Sequence, residues 1–146
     1  MKKLLLLLLI FLFISCKKKE STKGIQKTNN VYKILTKKQW ENSQKIGYII
    51  TQLDKNDGFI HLSTSSQLAG TLSFFFSEHQ ELILLQLEQN TIKDHLVFEA
   101  PVPRGNRSGL FPHLYSDLKV NQIAKIWELK RGAFILPDEV LIQAEK

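Results

Sequence analysis

The sequence predicts an α+β domain. Three observations lead there. Short apolar runs of strand type outnumber helical stretches, roughly six to two, from residue 31 onward. The two helical stretches do not alternate with the strands as βαβ units would require. The chain has 146 residues, 43% of them hydrophobic; that length suits one core and is short for two. No internal repeat and no Pro/Gly/Ser-rich break divides residues 31–146, so one domain is expected there.

The elements follow in order. Val31 to Leu35 is a β-type run. Thr36 with Gln39 is a capping-box pair, which predicts a helix from Lys37 to Ile46 with Trp40 on its apolar face. Gly47 is its stop signal. Tyr48 to Ile50 is a weak strand, and Asp54 to Gly58 is a dense turn cluster. Gly58 to Ser63 has the pattern of a buried strand. Thr64 with Gln67 is a second capping box, opening a helix to about Phe76. Leu82 to Leu87 is expected as a central strand and His95 to Glu99 as another. Pro101, Pro103, Gly105 and Gly109 mark a loop. Leu110 to Tyr115 has no secondary-structure logic of its own and is expected to be irregular and half-buried. Ile123 to Leu129 alternates in part, and Arg131-Gly132 predicts a turn into a strand at Ala133 to Leu136.

The charge is unevenly placed. The formal net charge is +6, which invites a nucleic-acid reading. However, residues 1–30 hold seven lysines against the single acid Glu20, whereas residues 31–146 hold 13 basic and 13 acidic residues. The domain is neutral, shows no long basic stripe, and is not expected to bind nucleic acid.

The first 30 residues have the character of a targeting segment. Lys2 and Lys3 precede an apolar run, Leu4 to Ile14, of eleven residues. As a helix it would measure roughly 16 Å, too short to cross a hydrocarbon core of about 30 Å. It suits the h-region of a secretory signal. Phe13-Ile14-Ser15-Cys16 resembles a bacterial lipoprotein lipobox, with Phe13 where leucine is usual. The resemblance implies a signal peptide over residues 1–15 and lipidation of Cys16. That is the only cysteine, so no intramolecular disulfide or multi-Cys zinc site can form. An uncleaved N-terminal anchor is the alternative. Residues 16–30 form the tether, which would span about 20 Å root-mean-square. The expected location is the cell envelope, with the membrane as partner through the lipid and no obligate protein partner.

Several residues in the domain could carry chemistry. His61 ends a strand just before a capped helix start, where unpaired amides favour anions. Ser63 and Thr64 add hydroxyls. Equally, Thr64 is only an N-cap and His61 a hydrogen-bonded core histidine. His113 lies in an apolar, aromatic stretch that either lines a pocket or packs the core. Glu99 ends a strand and points into a cleft or into solvent. Arg104 and Arg107 contact phosphate or are solvated loop residues. No G-x-S-x-G elbow, phosphate loop, G-x-G-x-x-G or H-E-x-x-H is present. His61, Glu99 and His113 have no ligand spacing, and no metal is expected.

The motifs VYKILTKKQW, GFIHLSTSSQLAG, LILLQL, VFEAP and LFPHLYSDL occur in that order. Together they resemble the domain-of-unknown-function family 952, over about Val31 to Leu136. The resemblance implies an ADP-ribosyltransferase-like fold: a compact α+β domain with two small, split, mostly antiparallel sheets and two or three short helices. It also implies a cleft that grips a dinucleotide, with NAD as the cofactor to be expected. His61 and Ser63 would lie on the nicotinamide-ribose side and Glu99 near a ribose or nucleophile. His113 and Tyr115 would line the same cleft, with Lys33 and Arg107 as ligand contacts. Lys33 stands where many members carry His, and Ser116-Asp117 where a Gly-Pro turn is usual. The expectation is therefore a lipid-anchored protein with a His61/Glu99/His113 cleft for a nucleotide-like or other small anionic ligand, with chemistry of the ADP-ribosyl-transfer type. A non-catalytic binding or structural envelope lipoprotein is the alternative.

Overall fold

The computed structural model describes residues 30–101, 107, 109–130, 137, 139, 140 and 143. The signal peptide, Cys16, nearly all of the tether, Arg104 and the strand expected at 133–136 lie outside the described residues.

The first sheet is built around the longest apolar run. β1 (Asn30–Thr36) pairs antiparallel with β3 (Glu81–Glu88), from Asn30 opposite Glu88 to Thr36 opposite Leu82. β6 (Lys125–Lys130) pairs on the other side of β3. β3 is the middle strand, which explains its unbroken buried stretch from Leu82 to Leu87: a strand covered on both faces needs no polar alternation. Asn30, assigned to the tether from sequence, is the first residue of β1.

Side chains alternate across this sheet and feed two cores. Val31, Leu35, Ile83, Leu85 and Leu87 pack against Ile60, Leu62 and Leu114 of the second sheet. Tyr32, Ile34, Leu82, Leu84 and Leu129 pack against Leu68 and Leu72 of helix α3 (Leu68–Phe75). The order of layers is thus α3, first sheet, second sheet.

The second sheet has the order β2 (Ile60–His61), β5 (Phe111–Leu114), β4 (Leu96–Glu99), and both pairings are antiparallel. The stretch expected to be irregular is its middle strand. Pro112 lacks an N–H, which argues against a central strand. Its carbonyl accepts from Leu62 N–H at 3.0 Å. Its nitrogen faces the same side, where the β2 ladder has already ended at His61 opposite His113. The missing donor leaves the Leu62–Pro112 pair with that single bond, at the end of the ladder rather than within it. Reciprocal backbone bonds between Tyr32 and Ser63, at 2.8 and 2.9 Å, tie the two sheets together.

Four short α-helices are described, more than the two or three expected. α1 (Lys37–Ile46) has the expected bounds, the Thr36/Gln39 box and a left-handed Gly47 at φ 79°. α2 (Gln52–Asp57) replaces the expected turn cluster. Its signal is Thr51 with Asp54, a capping box with Asp in the position usually held by Glu or Gln. Gly58, at φ 81°, ends this helix rather than forming a turn. The helix expected from Thr64 is split into a 3₁₀ turn, Ser65–Gln67, and α3. α4 (Gln89–Ile92) was not foreseen. The strand expected at Tyr48 to Ile50 is reduced to an isolated bridge between Tyr48 and Lys119.

Candidate functional site

The alternation of the second sheet places the site. Phe59 and His61 share one face with Phe111, His113 and Tyr115 of β5 and its end, and with Glu99 of β4. His61 and His113 are register partners, and their ring centroids lie 5.5 Å apart. Phe59 stacks on His113 at 4.1 Å and contacts His61 at 4.6 Å and Tyr115 at 5.3 Å. The opposite face carries Ile60, Leu62 and Leu114 into the core.

Asp54 is the centre of the buried polar network, and only 2% of it is exposed. Both of its oxygens accept from Lys33 Nζ at 2.8 Å. Oδ2 also accepts from the Thr51 N–H and hydroxyl, and Oδ1 from the His61 N–H. His61 Nδ1 lies 2.9 Å from Oδ1. Burial pushes the Asp54 carboxyl up. The bonds from His61 and Lys33, with the Lys33 charge, outweigh that and hold it well below the usual carboxylate range. Burial pulls the Lys33 ammonium down against the attraction of Asp54. We take the pair as ionised, because so many donors converge on one carboxylate. An ionised Asp54 can only accept, so His61 Nδ1 carries a proton. His61 Nε2 lies 3.1 Å from Asp57 Oδ2.

His113 is held in the same way. Its Nδ1 lies 2.9 Å from Glu99 Oε1, which also accepts from the Tyr115 hydroxyl at 2.6 Å. The Tyr115 and His113 bonds lower the Glu99 carboxyl and keep it an acceptor. Burial lowers His113 despite Glu99, so the ring is neutral at pH 7 with its proton on Nδ1. Nε2 then carries a lone pair, and no described residue hydrogen-bonds to it.

A cleft of about 700 Å³ opens between this face, α2 and α3. Lys33, His61, Ser63, Arg107 and His113 line it, with Phe59, Phe74, Phe75 and Phe111 among the apolar lining. The Arg107 guanidinium lies 4.9 Å from the Phe75 ring centre and 5.2 Å from that of Phe111. Ser63 bonds to Thr71 at 3.0 Å.

Three of the expected site residues hold other places. Glu99 does not line the cleft; it sits behind His113 and orients it. Tyr115 is 47% exposed and faces a second, shallower hollow across Phe59. Thr64 does not line the cleft. Its N–H donates to the Gln67 side chain and its hydroxyl meets Ser66, so it serves the helix start. Asp54, Asp57 and Phe59 were missed from sequence. The Thr51/Asp54 box was the available signal for α2; nothing local announced the Asp54 contacts with Lys33 and His61.

Among the described residues, no group of three or more His, Cys, Asp or Glu is arranged to hold a metal. No described helix is long and apolar enough to cross a membrane.

Fold and site together define a class: a small α+β domain of two antiparallel sheets whose aromatic cleft carries two carboxylate-held histidines. The chain belongs to the family described as Protein of unknown function (DUF952), which matches residues 34–126. It is similar to protein CC0527 from Caulobacter crescentus. The X-ray structure of that protein is 32% identical, has a TM-score of 0.66, and covers 77% of this chain and 98% of its own. The solution NMR structure of CC0527 gives 31%, 0.60, 69% and 84%. No match is found among curated proteins.

Proposed function

We propose that the cleft binds a nucleotide-like, anionic small molecule. One observation carries this reading. His61 and His113 converge on the cleft, which also holds Arg107 against the Phe75 and Phe111 rings. Aromatic faces suit a base or similar ring, and a guanidinium suits a phosphate. The test is ligand-induced stabilisation with NAD, ADP-ribose and AMP. A ligand at 100 times its Kd stabilises the fold by about 2.7 kcal/mol. No shift in melting temperature with any nucleotide would sink the reading.

The finer reading is ADP-ribosyl-transfer chemistry in an ADP-ribosyltransferase-like fold. It rests on the motif resemblance, which puts His61 and Ser63 beside the nicotinamide ribose of NAD. Nicotinamide release from NAD tests it, against a His61→Ala/Glu99→Ala control. Release no faster than the control ends it. Two observations count against the roles that this chemistry would give Glu99 and Lys33, and the second reading is a non-catalytic binding module. Glu99 is held by His113 and Tyr115 outside the cleft lining, and Lys33 is held by Asp54.

The leader supports an envelope location with Cys16 as the lipid-bearing residue. Labelled palmitate should enter the wild-type chain and not Cys16→Ala. Equal labelling of both would remove the lipid anchor from the account.

A further inference from the structure

Two histidines on neighbouring strands have matching supports. Asp54 lies 2.9 Å from His61 Nδ1, and Glu99 lies 2.9 Å from His113 Nδ1. A carboxylate on Nδ1 fixes the ring and turns Nε2 away from it. The two Nε2 atoms then meet different surroundings. His61 Nε2 lies 3.1 Å from the Asp57 carboxylate, so a carboxylate stands beside each nitrogen of that ring. His113 Nε2 has no partner among the described residues, and its buried ring carries a lone pair there. Two carboxylates flank His61 and one holds His113, an asymmetry that places the first ring to give a proton and the second to take one.

We propose that His61 and His113 form an acid–base pair that hydrolyses a phosphodiester bond of a nucleotide-like ligand. His113 Nε2 takes a proton from water, and the water oxygen bonds to phosphorus. The bond from phosphorus to the ester oxygen breaks. That oxygen leaves with the electron pair and takes the proton of His61 Nε2. Water and diester become a phosphomonoester and a hydroxyl. The extra proton on His113 goes to solvent, His61 regains one from solvent, and nothing is oxidised or reduced.

The leaving group decides the reaction class. Expelling a pyridinium-type base from a ribose gives a neutral leaving group and leaves an acid idle. A phosphodiester needs both partners, because its nucleophile must lose a proton and its alkoxide must gain one. Arg107 lines the same cleft and supplies positive charge for the phosphate. Asp57 occupies the position where the departing oxygen would meet His61, and its side chain is 37% exposed, so it has room to swing into solvent. Asp54 and Glu99 are positioning residues that act through the rings.

The inference rests on a nucleotide-like phosphate occupying the cleft, so binding and turnover are measured separately. The full-length chain is incubated with adenosine 2′,3′-cyclic phosphate and followed by phosphorus NMR. Adenosine 3′-monophosphate binding is measured by isothermal titration. The expected result is opening of the cyclic ester to a monoester, slowed at least about 100-fold in His61→Gln and in His113→Gln. His61 is half-buried at the rim, so its variant remains informative if the buried His113→Gln fails to fold. Monophosphate binding without ester opening overturns the proposal and leaves the ligand reading standing. Ester opening that survives His61→Gln also overturns it. Neither binding nor opening overturns both.

Discussion

Glu99 Oε1 accepts from His113 Nδ1 at 2.9 Å, which makes the glutamate a support for the histidine rather than a wall of the cleft. The same oxygen accepts from Tyr115 at 2.6 Å. These bonds lower Glu99 and, through it, raise the Tyr115 phenol.

Removing the Glu99 charge should therefore move two titrations. In Glu99→Gln, Tyr115 should fall back toward the ordinary phenol value of about 10. His113 should fall further, because Glu99 opposes the lowering by burial. Both are read by NMR pH titration. An unmoved Tyr115 would mean that the bond does not persist in solution.

Lys33 and Asp54 should be costly to separate. Each lacks solvent, so removing one leaves a buried charge unpaired. Lys33→Met should lose about 3–5 kcal/mol in urea denaturation. The double variant Lys33→Met/Asp54→Leu should recover part of it. A loss below about 1 kcal/mol in the single variant would show that Thr51 and His61 suffice for Asp54.

Acid sensitivity should trace to Asp54. Its folded value is depressed, so its contribution is fully present above the unfolded value of about 3.9. That contribution is lost as pH falls through the folded value. Wild-type stability should drop steadily below about pH 4. Asp54→Asn should start lower and lose less over the same range. Parallel curves for the two proteins would remove Asp54 from the acid transition.

Asp57 should oppose an anion in the cleft. Asp57→Asn should bind adenosine 3′-monophosphate roughly two- to tenfold more tightly at low salt, with the gain shrinking as salt rises. Unchanged affinity would place the phosphate away from His61.

Gly47 ends α1 at φ 79°, with open space where a Cβ would go. The cost of Gly47→Ala is therefore backbone conformation alone, about 1–2 kcal/mol. Thermal melting checks it, and an unchanged midpoint would mean that the cap relaxes freely.

Much of the architecture was legible in the sequence because its causes are local. The Thr36/Gln39 box and Gly47 set both ends of α1 within a few residues. The apolar run at Leu82 to Leu87 declared a strand buried on both faces. Motif order along the chain identified the family and with it the two-sheet plan. The histidines could be nominated, yet their partners could not. Lys33 meets Asp54 across 21 residues, and His113 meets Glu99 across 14. Strand pairing and helix placement decide those contacts. Pro112 hid β5, since only the early end of β2 makes a proline tolerable in a middle strand. Sequence alone determined α1, the central strand β3, the balanced charge of residues 31–146 and the lysine excess of residues 1–30. Tertiary structure decided that Glu99 stands behind His113, because a one-residue change in register would turn it to the other face of the sheet.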